Sequence, residues 1–248
     1  MRDTSFRRWT GILFILGALL VNVPYMLLIA HFEYPDILRQ PPGAILTRFQ
    51  AGGPGLVLTW LAFAWVGFPL FVALLMLRRV LEGERAPLVE VATTFGVISL
   101  IAQITGLLRW VFVVPALAAQ YTDPAASTAT RAAAEVAFLA VHQYGGVLLG
   151  EHIGQFFAVA WTFLISLALM KSPRFKAWLG WAGLASALVY LSAQSELLAT
   201  SIPGFPVVPE AGLIGSLMWL AWIAALGISL VLAAGTEPGR DQGDGVQG

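Results

Sequence analysis

Six long apolar stretches, at about residues 9–30, 55–77, 88–114, 149–170, 177–199 and 211–234, constrain this chain more than any other feature. A hydrocarbon core about 30 Å thick is crossed by about 20 helical residues, and each stretch is long enough. Strands of a membrane barrel would alternate polar and apolar residues over about ten positions. Runs such as Ile12 to Leu20 and Phe156 to Leu169 do not alternate. The expected fold is therefore all-α, a polytopic transmembrane helical bundle of six spans with amphipathic segments on its outer face.

Lys and Arg orient the bundle. Arg2, Arg7 and Arg8 precede span one; Arg78, Arg79 and Arg85 join spans two and three; Lys171, Arg174 and Lys176 join spans four and five; Arg240 lies in the tail. The opposite side has only Arg39, Arg48 and Arg131. Both termini are expected to be cytoplasmic. A seventh span over 130–147 would reverse everything after it, so that stretch reads as an amphipathic helix on the outer face that runs into span four and bends at Gly145-Gly146. Residues 1–234 form a single transmembrane domain, and the Gly-, Asp- and Gln-rich stretch 235–248 reads as a disordered cytoplasmic tail.

Composition narrows the chemistry. Of 248 residues 58% are hydrophobic and 11% charged, against about 25% charged in soluble domains. Net charge is zero, so no basic field points to nucleic acid. The absence of cysteine removes disulfides, thiolate metal sites and a cysteine nucleophile.

Ionisable and polar side chains inside spans are costly and mark candidate sites. Counted at about 1.5 Å per residue from the inner ends, Asn22, Gln103, Arg109, Glu151, His152, Gln155, Gln194 and Glu196 all fall in the outer part of the membrane. Arg109 should seek a carboxylate, with Glu151 and Glu196 the candidates. Glu151 and Gln155 share a helix face, with His152 beside it. Gly145, Gly146, Gly150 and Gly154 allow close helix approach. Trp9, Trp178 and Trp181 read as anchors at the inner interface and Trp110 as one at the outer.

No metal or other cofactor is expected. His142 and His152 are roughly 15 Å apart on a straight helix, and two histidines with one glutamate make a minimal zinc set lacking the usual pairing. Bis-histidine haem ligation lacks a second ligand, because His31 and His142 are placed outside the core. Retinal lacks a lysine within a span. The first outer loop, 31–53, has an amphipathic second half around Ile45-Leu46-Thr47-Arg48-Phe49 and can lie over the outer layer.

The phrases Tyr34-Pro35-Asp36-Ile37-Leu38-Arg39, Leu108-Arg109-Trp110 with Pro115 and Tyr121, His142-Gln143-Tyr144, Gly150-Glu151-His152-Ile153-Gly154 and Trp178-Leu179-Gly180-Trp181 follow one another along the chain. In these phrases and their order the chain resembles a domain-of-unknown-function family of small polytopic bacterial membrane proteins. The resemblance covers nearly all of the chain except the tail. It implies a multi-pass protein of the bacterial cytoplasmic membrane and brings no activity, substrate or cofactor.

Three functions fit the residues. The first is a pocket in the outer half of the bundle that binds a small apolar molecule or a lipid, serving sensing, transport or partner interaction. The second is a structural or accessory membrane subunit whose polar groups lock helices together. The third is a membrane-embedded enzyme acting on an apolar substrate through Glu151 and His152. The lipid bilayer is the partner common to all three.

Overall fold

The computed structural model describes residues 2–81 and 86–235, so Arg85, Arg240 and the tail beyond Gly235 lie outside the described residues. Among the described residues all regular structure is helical: α1 (Arg2–Leu20), α2 (Asn22–Phe32), a short 3₁₀ turn (Asp36–Arg39), α3 (Pro42–Trp65), α4 (Phe68–Val80), α5 (Ala86–Phe112), α6 (Val114–Thr122), α7 (Thr128–Val141), a π-helix (His142–Ile153), α8 (Gly154–Met170), α9 (Ala177–Ser192), α10 (Gln194–Ala199) and α11 (Ala211–Gly235).

Five helical runs among the described residues are long and apolar enough to cross a membrane: Thr4–Phe32, Pro42–Val80, Pro87–Thr122, Thr128–Met170 and Ala211–Ala234. Several exceed what a bilayer needs. The 43 residues of Thr128–Met170 include 14 in α7 and 17 in α8. At about 1.5 Å per residue these two α segments alone have a helical path of roughly 46 Å, more than an apolar layer about 30 Å thick requires.

The long runs are jointed, and proline marks the joints. It lacks the N–H that an interior helical turn requires and is tolerated in a first turn. Pro69 and Pro115 sit in the first turns of α4 and α6. Within α3 the joint is Gly53-Pro54, where Gly53 takes φ 57°, a left-handed conformation that costs glycine little. Helix α9 is interrupted at Ala193 and resumes as α10. Together α9 and α10 return alongside α8: Gly180 packs on Ser166 and Met170 near the C-terminal end of α8, while Gln194 meets Gln155 at its start.

Two apolar cores stack along the bundle. The first gathers Phe14, Leu74, Leu77, Trp161, Ile165, Trp222 and Leu226 from α1, α4, α8 and α11. Here α1 and α11 approach backbone to backbone, since a β-carbon on Gly227 would lie 2.6 Å from the Gly11 carbonyl oxygen. The second gathers Phe32, Phe49, Trp60, Trp110, Val114 and Phe138 from α2, α3, α5, α6 and α7. Its centre is the Trp60–Trp110 pair, stacked with centroids 4.7 Å apart and planes 9° from parallel, with the Phe32 and Phe138 rings edge-on to Trp110. Ile45, Leu46 and Phe49, in the first half of α3, point into this core and are buried. Trp110 is 0% exposed. Its expected place as an outer-interface anchor is corrected: α3 and α7 fold over it. Trp9, Trp178 and Trp181 are exposed.

Candidate functional site

The polar layer lies where the two cores meet, and it is built around α5 and the π-helix. A π-helix is rare beyond a single turn and, where it occurs, often lies at a functional site. This one spans the Gly145-Gly146 pair, where a bend was expected, and carries Glu151 and His152. Its glycines bring it onto α5, because a β-carbon on Gly106 would lie 2.5 Å from the Gly150 α-carbon and 2.7 Å from the Gly145 carbonyl oxygen.

Arg109 occupies the centre, 8% exposed. Its Nη1 donates to the Gly106 carbonyl at 2.6 Å, and its guanidinium carbon lies 5.2 Å from the Trp110 ring centroid, so the cation rests on its own helix and on an aromatic face. Its Nε is buried without an acceptor. No carboxylate closes an ion pair with it among the described residues, whose ion pairs include the exposed Asp36–Arg39, Glu33–Arg48 and Arg78–Glu90. Glu151 nevertheless lies within electrostatic reach of both Arg109 and Glu196.

Tyr34 enters this layer from the connection between α2 and α3. Burial holds its hydroxyl well above the ordinary tyrosine range; the Glu151 carboxylate adds to the shift and Arg109 opposes it. The loop thus places a hydroxyl beside the same two charges. His142 also belongs here, contrary to its expected place outside the core. It stacks on Phe138 at 5.5 Å and meets Trp110 edge-on at 6.3 Å, with its Nδ1 buried and unpartnered. His31 is exposed.

A second group lies between the start of α8 and the α9–α10 joint. Gln194, buried, accepts at Oε1 from His152 Nδ1 at 2.5 Å and donates through Nε2 to Gln155 Oε1. Tyr190 reaches the Gln155 side chain, and Glu196 lies over Gly212 at the start of α11. Higher up, Gln143 donates to Thr200 at 3.0 Å and to Ser201 at 3.3 Å, tying the π-helix to the end of α10.

Of the eight residues singled out from the sequence, Glu151 is thus an electrostatic neighbour of Arg109 and of Glu196, and His152, Gln155 and Gln194 form one hydrogen-bonded chain. Gln103 stands lower on α5, donating to Ser99 at 2.9 Å while Ser99 donates to the Gly154 carbonyl at 2.7 Å. Asn22 is exposed and donates to the Ala18 carbonyl of its own helix at 2.9 Å, so it joins neither group. Tyr34, Tyr190 and His142 are the additional members. Only their place in the fold brings them in, although Tyr34 and His142 stand within phrases that carry the family resemblance. Among the described residues no group of three or more His, Asp or Glu side chains is arranged to hold a metal ion.

A family model described as a domain of unknown function (DUF4386) matches residues 9–227. The chain belongs to this family. The match runs from the first turns of α1 into α11, and so includes both cores and the whole polar layer. With its five apolar runs, this member of the family is an integral membrane protein built as a helical bundle. Comparison with curated proteins and with solved structures finds no match.

Proposed function

We propose that this protein crosses the bacterial cytoplasmic membrane six times with both termini inside, and that its outer polar layer receives the polar end of a small molecule or lipid. The observation that carries the reading is Arg109: a guanidinium 8% exposed, with Nε unpartnered and no carboxylate in ion-pair contact, beside Glu151 and Tyr34. Unspent hydrogen-bonding capacity is costly in an apolar bundle, and a ligand's polar group is one way to satisfy it. Support for the sixth crossing comes from α9 and α10, which run back along α8 from the Lys176 end to the Gln155 end.

The test uses the full chain in lipid nanodiscs. Mass spectrometry identifies molecules that co-purify, and thermal unfolding records their effect when added back. The reading expects a ligand-induced rise in Tm that is lost in Arg109→Gln and Glu151→Gln while the unliganded variants remain folded. If both variants keep every ligand-induced shift and the wild-type profile of bound molecules, the site reading fails.

A structural or accessory subunit is the second reading. It is favoured by the His152–Gln194–Gln155 chain, which joins α8 and α10 directly. A stoichiometric protein partner that co-purifies, with no ligand response, would place this reading first.

A further inference from the structure

An apolar groove of about 280 Å³ opens on the flank of the bundle between α5, α8 and α9, lined by Phe95, Phe156, Ala160, Phe163, Leu188 and Leu191 among others, all apolar. Phe156 and Leu191 stand at the end nearest the polar layer, one to two turns from His152 and Gln194. From Phe156 to Leu164, which also lines it, the groove follows α8 for roughly 12 Å. That is close to half of an apolar layer about 30 Å thick. The His152 and Phe156 rings stack at 6.5 Å, so the groove's mouth and the polar layer are one ring apart.

We infer that the groove holds the single hydrocarbon chain of an amphiphile whose hydroxyl head is taken by His152. This places a ligand position on the His152–Gln194–Gln155 group, beside the one read at Arg109, and rests on that reading only in taking the polar layer as a ligand site. The head follows from the groups already committed. Gln194 offers Oε1 to His152, so Nδ1 carries the proton and Nε2 of the neutral ring is an acceptor. Nε2 has no partner among the described residues, and the ring is half-buried. Glu151 adjoins His152 in the chain and Glu196 lies two residues from Gln194, so carboxyl groups rather than cations neighbour this position and an anionic head gains nothing there. A hydroxyl donates to Nε2 and brings no charge. The tail follows from the wholly apolar lining, which offers a polar chain no partner.

The probe is a twelve-carbon primary alcohol with a photoreactive diazirine in mid-chain, used on the full chain in nanodiscs, with peptides mapped after irradiation. The expected result is saturable labelling within α8 and α9 that dodecanol displaces about tenfold better than its methyl ether, the weight of one hydrogen bond. Ala160→Phe and Leu188→Trp, which fill the groove from its lipid-facing side, abolish the labelling. His152→Phe keeps the ring stack and erases the preference for alcohol over ether. Saturable labelling with the alcohol preference intact in both groove variants overturns the groove assignment and leaves the polar-layer reading standing. Labelling that never saturates, or that alcohol and ether displace equally in the wild type, means ordinary annular lipid and overturns the inference. Failure of any probe, charged or neutral, to bind saturably removes the polar-layer reading as well.

Discussion

Gly146 lies so close to Arg109 that a β-carbon on it would stand 2.5 Å from Nη2 and 2.7 Å from Cζ. The guanidinium therefore takes its place because residue 146 has no side chain. Gly145, one position earlier, would place a β-carbon 3.6 Å from the Arg109 Cδ, an ordinary contact. Gly146→Ala should displace the guanidinium and cost about 1–3 kcal/mol of overpacking. Gly145→Ala should cost little. Thermal unfolding of the two variants in the same detergent checks the contrast; equal Tm values would mean that Arg109 moves freely.

The second core offers a test of packing against hydrogen bonding. Trp60 and Trp110 are each 0% exposed, and each indole N–H is buried without an acceptor. Trp60→Phe removes an unsatisfied donor while leaving an aromatic ring against Trp110, Phe32 and Tyr34. The gain from losing the unpaired donor offsets the smaller volume, and the change should stay within about 1 kcal/mol. Trp60→Ala leaves a cavity and should cost about 3–5 kcal/mol. A large loss in Trp60→Phe would indicate that the indole nitrogen has a partner in the membrane-bound protein.

Apolar length announced the helices and their number to within the α9–α10 question, because hydrocarbon thickness is a local criterion that each stretch meets or fails by itself. The joints were not: Pro54, Pro69 and Pro115 stand where helices break, yet the span read at 55–77 runs through Pro69 without one. Nor was the second core. Trp110 beside Arg109 is the local signature of an interfacial anchor, and only long-range folding of α3 and α7 over it buries it. Nor does any residue pattern distinguish π from α turns in His142–Ile153, since both are read from the same apolar periodicity. Counting residues puts Arg109, Glu151, His152, Gln194 and Glu196 at one expected depth but does not say which of them meet. Asn22, counted to the same depth yet exposed and bonded to its own helix, shows why counting alone is insufficient.

Gln194 joins two side chains that have no other link to each other. Gln194→Leu removes both hydrogen bonds and leaves His152 and Gln155 with unpaired groups in an apolar setting. Each orphaned group costs about 1–3 kcal/mol, so the variant should unfold at clearly lower temperature and exchange amide hydrogens faster through 193–199. Asn22→Leu, at an exposed position bonded to its own helix, should do neither. Comparable behaviour of the two variants would show that the α8–α10 link bears no load.

The route of α9 and α10 decides the topology. Without a crossing at 177–199, the loop before α11 would share a side with Lys176; with one, it shares a side with Ala125 in the α6–α7 connection. The chain has no cysteine, so single cysteines report without background. Val207, Ala125 and Lys176 are all exposed. A membrane-impermeant maleimide applied to intact cells should label Val207→Cys and Ala125→Cys, and should label Lys176→Cys only after permeabilisation. The Gln143 bonds to Thr200 and Ser201 favour this outcome, since they hold the end of α10 at the same end of the bundle as the start of the π-helix. Labelling of Val207→Cys only together with Lys176→Cys would make 177–199 a hairpin that returns on the inner side, and the bundle would have five crossings.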